Sequence, residues 1–325
     1  MNASARLQIC GLLMLVVAIG WSNSAAAQNW PEKPVRVIVP FGPGGGTDIQ
    51  GRLLGKKFYE SMGQTFVVDN HGGAGGLIGA ELAVKSPPDG YTVLFTTASL
   101  AVNVSLYKKS ITFDPLKDLA PVCWISSVPL VLITHPSVPA KSIASLVALA
   151  KNTGRMNAGS NGAGTTSYLA VEMLKQATGA KMVNVPYKGG GPAVTALISG
   201  EVDFEFATAL AASPHVKSGK VTPLAVTTAK RAKAYPDLPT MDSIFPGFVV
   251  DNWYAMFMPA GTPEPIIDKL HAEIVKAIKA PDVQEFMARE GGEPVGSTPQ
   301  ELTDMFKIEV AKYAKVIEEG HIAVQ

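Results

Sequence analysis

Short apolar runs rich in Val, Ile and Phe alternate along this chain with longer segments whose apolar positions recur every three or four residues. The run Val-Arg-Val-Ile-Val-Pro-Phe at 35–41 predicts a strand, and the striped segment 49–62 predicts a helix. Strand-type runs at 66–68 and 91–97, with a helical segment at 77–85, continue the alternation. It resumes with strand runs at 130–134, 156–159, 182–186, 202–207 and 224–228, separated by helical segments at 143–152, 165–178 and 193–199. Strands alternating with helices of this size predict βαβ units and parallel sheets. Two α/β blocks are readable, one on either side of about residue 125.

The last third reads differently. A strand at 253–258 is followed by Pro259-Ala-Gly-Thr-Pro263, with Thr262 as a candidate cap and Pro263 in the first helical position. Ile266, Ile267, Leu270, Ile274 and Ile278 then form one apolar helical face. Thr298-Pro-Gln-Glu301 is a capping-box pattern opening a final helix that carries Leu302, Phe306, Val310, Tyr313 and Ile317.

The N-terminus stands apart from this pattern. Arg6, an apolar stretch at 9–21 and the ending Ser24-Ala-Ala-Ala27 predict a secretory signal peptide, residues 1–27, cleaved after Ala27. The apolar core falls short of the roughly 20 residues of a spanning helix, and small residues follow it instead of a cationic stop signal. Cys10 lies inside that core and away from the cleavage point, so no lipid attachment is expected there. The mature chain is expected to be a soluble exported protein. It retains one cysteine, Cys123, which excludes an internal disulfide and reads as a buried inert thiol.

Length and composition add bounds. With 325 residues, 47% of them hydrophobic and 17% charged, the chain can form about two domains with a sizeable core. A net charge of +1 argues against a nucleic-acid partner.

Three glycine turns carry the candidate chemistry. In the first, Gly42 to Asp48, a strand breaks into glycines and meets Thr47 and Asp48, good residues for a helix start. The second is Gly72-Gly-Ala-Gly-Gly-Leu-Ile-Gly79 and the third Gly159-Ser-Asn-Gly-Ala-Gly-Thr-Thr166. Gly42 to Asp48 holds no lysine, which excludes a phosphate-binding P-loop. Gly73 and Gly75 are followed by Ile78, and Gly162 and Gly164 by Ser167, so neither completes a dinucleotide fingerprint. His71, His135, His215, His271 and His321 show no zinc-type spacing, and no metal or cofactor is expected. No Gly-x-Ser-x-Gly elbow occurs. Asp48 reads as a cap or a loop-fixing group, and Asp203 as either structural or ligand-contacting. Three glycine loops, each at the carboxyl end of an expected strand, favour a crevice whose backbone N–H groups hold a carboxylate.

The order and spacing of these pieces resemble the extracytoplasmic solute receptors of the tripartite tricarboxylate transporter family, also called Bug-type receptors. The likeness runs from Trp30 to about Tyr313. It is carried by Trp30-Pro-x-Lys-Pro-Val-Arg-Val-Ile-Val-Pro-Phe41, Gly44-Gly-Gly-Thr-Asp48 with Arg52, Gly63-Gln, Val67-Val-Asp-Asn70, Gly73-Ala-Gly-Gly76 and Pro88-Asp-Gly-Tyr91. Gly162-Ala-Gly-Thr165, Val185-Pro-Tyr-Lys-Gly189, Gly191-Pro-Ala193, Gly200-Glu-Val-Asp203 and Pro259-Ala-Gly-Thr-Pro263 complete it.

The resemblance implies an α/β, two-lobed periplasmic-binding-protein (Venus flytrap, type II-like) fold. Each lobe would be a mainly parallel sheet flanked by helices, with two hinge crossings near residues 125 and 250. Lobe 1 would comprise 28–125 plus 251–325, and lobe 2 would comprise 126–250. It implies a monomeric, non-enzymatic receptor that delivers a small di- or tricarboxylate or aromatic acid to a permease of large and small membrane subunits. Carried over, the ligand-binding positions are Gly44, Gly45, Thr47, Asp48, Gly75, Gly76 and Thr97 on one lobe. On the other they are Ser160, Gly164, Thr165, Thr166, Tyr168, Asp203 and Thr208. Tyr168 replaces a common histidine, Ala207-Thr208 a frequent Asp-Asn pair, and His71-Gly72 the usual Arg-Pro. The first two departures point to selectivity positions. A sensory receptor with the same closure, or a secreted bilobal enzyme using Asp48 or Asp203 as base, are the alternative readings.

Overall fold

In the first sheet, Val35–Val39 (β1) leads through a glycine loop into helix Gly46–Met62 (α1) and back to Phe66–Asn70 (β2), parallel to β1. Helix Leu77–Val84 (α2) returns the chain to Thr92–Thr97 (β3), parallel to β1 on its other side, and Ser99–Leu106 (α3) follows. The alternation along β1 decides what each face meets. Val35, Val37 and Val39 pack with Leu54 and Phe58 of α1, while Ile38 turns to Ala80 and Ala83 of α2. These coordinates form a computed structural model that describes residues 29–289 and 291–323. The expected signal peptide, 1–27, lies outside the described residues.

The next strand, Leu119–Thr134 (β4), is 16 residues long and serves two sheets. Residues 119–129 pair with Asp251–Pro259 (β9), 130–134 pair with Phe204–Thr208 (β7), and 131–134 also pair with Thr222–Val226 (β8). Pro121, which has no N–H to give to a ladder, stands at a register shift. The second sheet repeats the plan of the first: helix Ile143–Thr153 (α4), Met156–Ser160 (β5), helix Thr166–Thr178 (α5), Met182–Pro186 (β6) and helix Gly190–Ile198 (α6). Helix Ala209–Lys217 (α7) follows β7. The chain returns to the first sheet where the Val250 N–H, bonded to the Thr227 carbonyl, hands over to β9.

Strand order is therefore β2-β1-β3-β9-β4 in one sheet and β4-β7-β5-β6 in the other, with β8 on the free side of β4. The parallel part of each is three strands, β2-β1-β3 and β6-β5-β7. The crossing strands enter from the opposite lobe and run antiparallel to them, so each sheet is mixed.

Three further helices cover the first sheet: Glu264–Ile278 (α8), Pro281–Arg289 (α9) and Pro299–Glu319 (α10). A two-residue strand, Glu293–Pro294 (β10), pairs with β4 between the last two. The capping box at Thr298 and Glu301 forms as the sequence pattern requires. Thr262, expected to cap α8, donates instead to the Pro259 carbonyl at 2.8 Å, and the helix begins at Glu264. The end of α10 reaches across to α5, where Gln176 Nε2 donates to the Glu319 carbonyl at 3.4 Å.

Candidate functional site

The carboxyl ends of β1, β3, β5 and β7 all open toward the same gap between the lobes. From β1 the chain passes through Gly44, at φ 79°, a conformation in which a side chain would be strained. Asp48, in the first turn of α1, holds this loop. Its Oδ2 accepts the Gly44 N–H at 3.0 Å, and its Oδ1 pairs with Arg52 at 2.9 Å. Burial opposes the charge on Asp48. The Arg52 pair, the Gly44 N–H and Asn70 outweigh it and keep the carboxyl below its ordinary value. Asp48 is thus a fixed anion that braces the loop, with both oxygens already engaged.

Opposite, Thr165 Oγ1 donates to the Gly162 carbonyl at 2.8 Å and accepts the Tyr168 N–H at 3.2 Å, which sets the start of α5. Thr208 does the same for α7, accepting the Ala211 N–H at 3.4 Å. The lobes meet through backbone. Gly42 N–H donates to the Lys188 carbonyl at 2.9 Å, and the Tyr107 hydroxyl reaches the Ala163 carbonyl at 3.5 Å. A Cβ on Gly42 would stand 2.6 Å from Lys188 O, and one on Gly191 2.6 Å from Pro43 O, so glycine permits this approach.

The closed gap contains an enclosed chamber. Phe41, Gly45, Gly46 and Thr47 line it from the first loop, Thr97 and Ser99 from the end of β3, and Asn252 and Tyr254 from β9. Asn161, Thr165, Thr166, Gly190 and Thr208 close it from the second lobe. About 20 Å³ remains for water centres, room for about one water. A larger adjoining space of about 220 Å³ lies beyond Phe41 and Asn161, between Gly73–Gly76 and the segments 162–163 and 186–188.

No lining residue of the enclosed chamber carries a charge. Yet α1, α3, α5, α6 and α7 all begin at its wall, at Gly46, Ser99, Thr166, Gly190 and Ala209. The unpaired N–H groups and dipoles of helix N-termini favour negative charge. Tyr254 is fully buried, and burial pushes its phenol well above the ordinary value, so it stays protonated. Among the described residues no group of side chains could hold a metal ion.

Comparison with known proteins bears on what such a chamber serves. The sequence model of the tripartite tricarboxylate transporter family receptor matches residues 51–322. The chain belongs to that family. BugT of Bordetella pertussis is 36% identical over 323 residues, covering 98% of each chain. The structure of the periplasmic binding protein BugD superposes with a TM-score of 0.88 at 34% identity, covering 91% of this chain and all of BugD. A Rhodopseudomonas palustris protein solved with adipate superposes at 0.87 and 34% identity, covering 90% and 99% of the two chains. The fold of this tripartite tricarboxylate receptor is accordingly the two-lobed one of periplasmic binding proteins. The family is one of solute-binding receptors and not of enzymes.

The receptor brings Gly45, Thr47, Thr97, Thr165, Thr166 and Thr208 to the enclosed chamber, and Gly75 and Gly76 to the adjoining space. Gly44 packs outside against Gly191, and Gly164 against Asn103 and Tyr107. Ser160 is fully buried, with no partner for its hydroxyl, and lies outside both linings. Two expected positions are elsewhere. Asp203 sits at the amino end of β7, five residues and about 16 Å of strand before Thr208. There its carboxylate accepts the Asn157 N–H at 2.7 Å, a structural tie between strands. The Tyr168 side chain points to the back of α5, where its hydroxyl reaches the Ala323 carbonyl at 3.4 Å, because position 168 is about 200° around the helix from Thr166.

Phe41, Gly46, Ser99, Asn161, Gly190, Asn252 and Tyr254 line the chamber of this receptor without having been singled out in the sequence. For Gly46 and Gly190 the glycine runs gave a signal. Asn252 and Tyr254, at one end of an apolar strand, gave none. Cys123 is buried, and burial foremost pushes its thiol up to about 12, the state of an inert core cysteine.

Proposed function

We propose that this receptor binds a small carboxylate in the cleft between its lobes, at this chamber and the space adjoining it, and delivers it to the large and small membrane subunits of a tripartite tricarboxylate-type transporter. One observation carries the reading: five helix N-termini converge on a chamber lined by hydroxyls, amides and backbone, with no cation among them. Such a wall stabilises an anion. It has no guanidinium fork, and a carboxylate needs none where helix N–H groups supply the donors. The adipate recorded with the Rhodopseudomonas palustris relative supports the same ligand class.

The receptor works in the periplasm after removal of residues 1–27. Its lobes are 28–125 with 251–325, and 126–250, a division supported by the change of sheet within β4 and by the return at Val250. A ligand touching both lobes favours the closed state, in which water is excluded and each hydrogen bond strengthens. The membrane subunits recognise that state.

A thermal-shift screen of mono-, di- and tricarboxylates, aromatic acids and amino acids tests this, using protein refolded free of bound solute. At least one acid is expected to raise Tm, with a Kd in the micromolar range or tighter. Silence across every acid class would sink the carboxylate reading.

A further inference from the structure

The floor of the chamber is made by the crossing strand itself. Asn252 and Tyr254 stand two residues apart on β9, so both side chains leave the strand on one face. Asn252 is 2% exposed and Tyr254 0%. Thr166 Oγ1 donates to Asn252 Oδ1 at 3.0 Å, leaving Asn252 Nδ2 buried and without a partner. The Tyr254 hydroxyl lies beside Thr208 and Asn252 and is likewise buried, with no hydrogen bond of good geometry. Asn252 Oδ1 accepts from Thr166 and Thr208 Oγ1 from the Ala211 N–H, while Asn161 Oδ1 on the same wall is a buried acceptor without a partner. Gly46 packs directly on this hydroxyl, and a Cβ there would collide with it. Two buried donors without acceptors, aimed into a chamber, demand a ligand acceptor.

We infer that the Tyr254 hydroxyl and the Asn252 amide donate to an oxygen of the ligand, so the anion is held by the crossing strand as well as by both lobes. This rests on the carboxylate reading above and narrows it. The phenol and the amide NH₂ are both donors, so the ligand atom seated against β9 is an acceptor oxygen. A carboxylate enters as its anion.

The test is isothermal titration of the purified receptor at pH 7 with acetate, succinate, adipate and benzoate. For the tightest acid, Tyr254→Phe is expected to weaken binding about 10- to 100-fold, the range for a hydrogen bond to a charged group. The Tm of the ligand-free variant is expected to stay level or rise, since the change removes an unpaired buried hydroxyl. Asn252→Asp, which replaces a donor with an acceptor, is expected to weaken binding at least as much. Unchanged affinity in Tyr254→Phe overturns the inference. So does a fall of several degrees in its ligand-free Tm, which would assign the hydroxyl to the fold. Failure of all four acids to bind the unmodified receptor is a different result. It defeats the carboxylate reading and removes this inference with it.

Discussion

Asp48 and Glu205 show how differently two buried carboxyls can be held. Asp48 is kept charged by Arg52 and the Gly44 N–H, so its contribution to stability is present above the ordinary aspartate range and is lost as pH falls through its lowered value. Asp48→Asn should flatten the acid limb of the Tm profile, measured by calorimetry from pH 2 to 6. Glu205, mid-strand in β7, has neither oxygen partnered, and burial pushes its carboxyl up to about 8. The unfolded chain releases this proton from about pH 4.5 while the folded one keeps it, so stability falls between there and about pH 8. Glu205→Gln removes that slope. Its Tm should match the parent near pH 4 and exceed it by several degrees at pH 8, at about 2–4 °C per kcal/mol. A parallel pair of profiles would contradict the assignment.

At this scale the sequence was legible where a residue type changes the backbone and obscure where it does not. Glycine announces a turn, which is why the loops around Gly45 and Gly75 could be located. Asp203 misled because it flanks a strand on the edge away from the crevice, and linear sequence does not mark which edge faces a ligand. Tyr168 misled because a helix beginning at the site turns its third residue away.

Among the elements, the glycine loops work as contact surfaces between lobes. Gly42 has no positive φ, so Gly42→Ala adds no backbone strain, yet its Cβ would stand 2.6 Å from the Lys188 carbonyl. This substitution should leave the fold intact and reduce acid binding at least tenfold, read by titration calorimetry. Small-angle scattering should show a larger radius of gyration in the presence of acid than for the parent. Unchanged affinity would mean that the contact does not limit closure. The amphipathic helices α8 and α10 were readable almost to the residue, since Leu302, Phe306, Tyr313 and Ile317 all reach the core. The length of β4 was not. Pro121, Ser126, Ser127 and Pro129 interrupt its apolar run, and only the pairing with β9 and β10 on either side explains them.

For the whole molecule, the alternation of strand and helix foretold two α/β blocks, and each has three parallel strands. What it could not foretell is that the connecting strands would join the sheets as antiparallel members, since pairing between distant segments leaves no local trace. Closure and ligand binding are linked thermodynamically. An acid present at 100 times its Kd should add about 2.7 kcal/mol to stability if it binds only the folded receptor. Denaturant titration with and without the acid measures this directly, and a gain independent of acid concentration would point to a non-specific effect.

The convergence of five helix starts on an uncharged chamber has a consequence for tolerance and salt. Part of the attraction for an anion resides in peptide groups, which no side-chain substitution removes. These groups are also buried between the lobes, whereas surface charges are screened within about 8 Å at physiological ionic strength. Affinity for the acid should therefore change little between dilute buffer and concentrated salt. The lining side chains can be exchanged to admit a different acid while the preference for an acid endures.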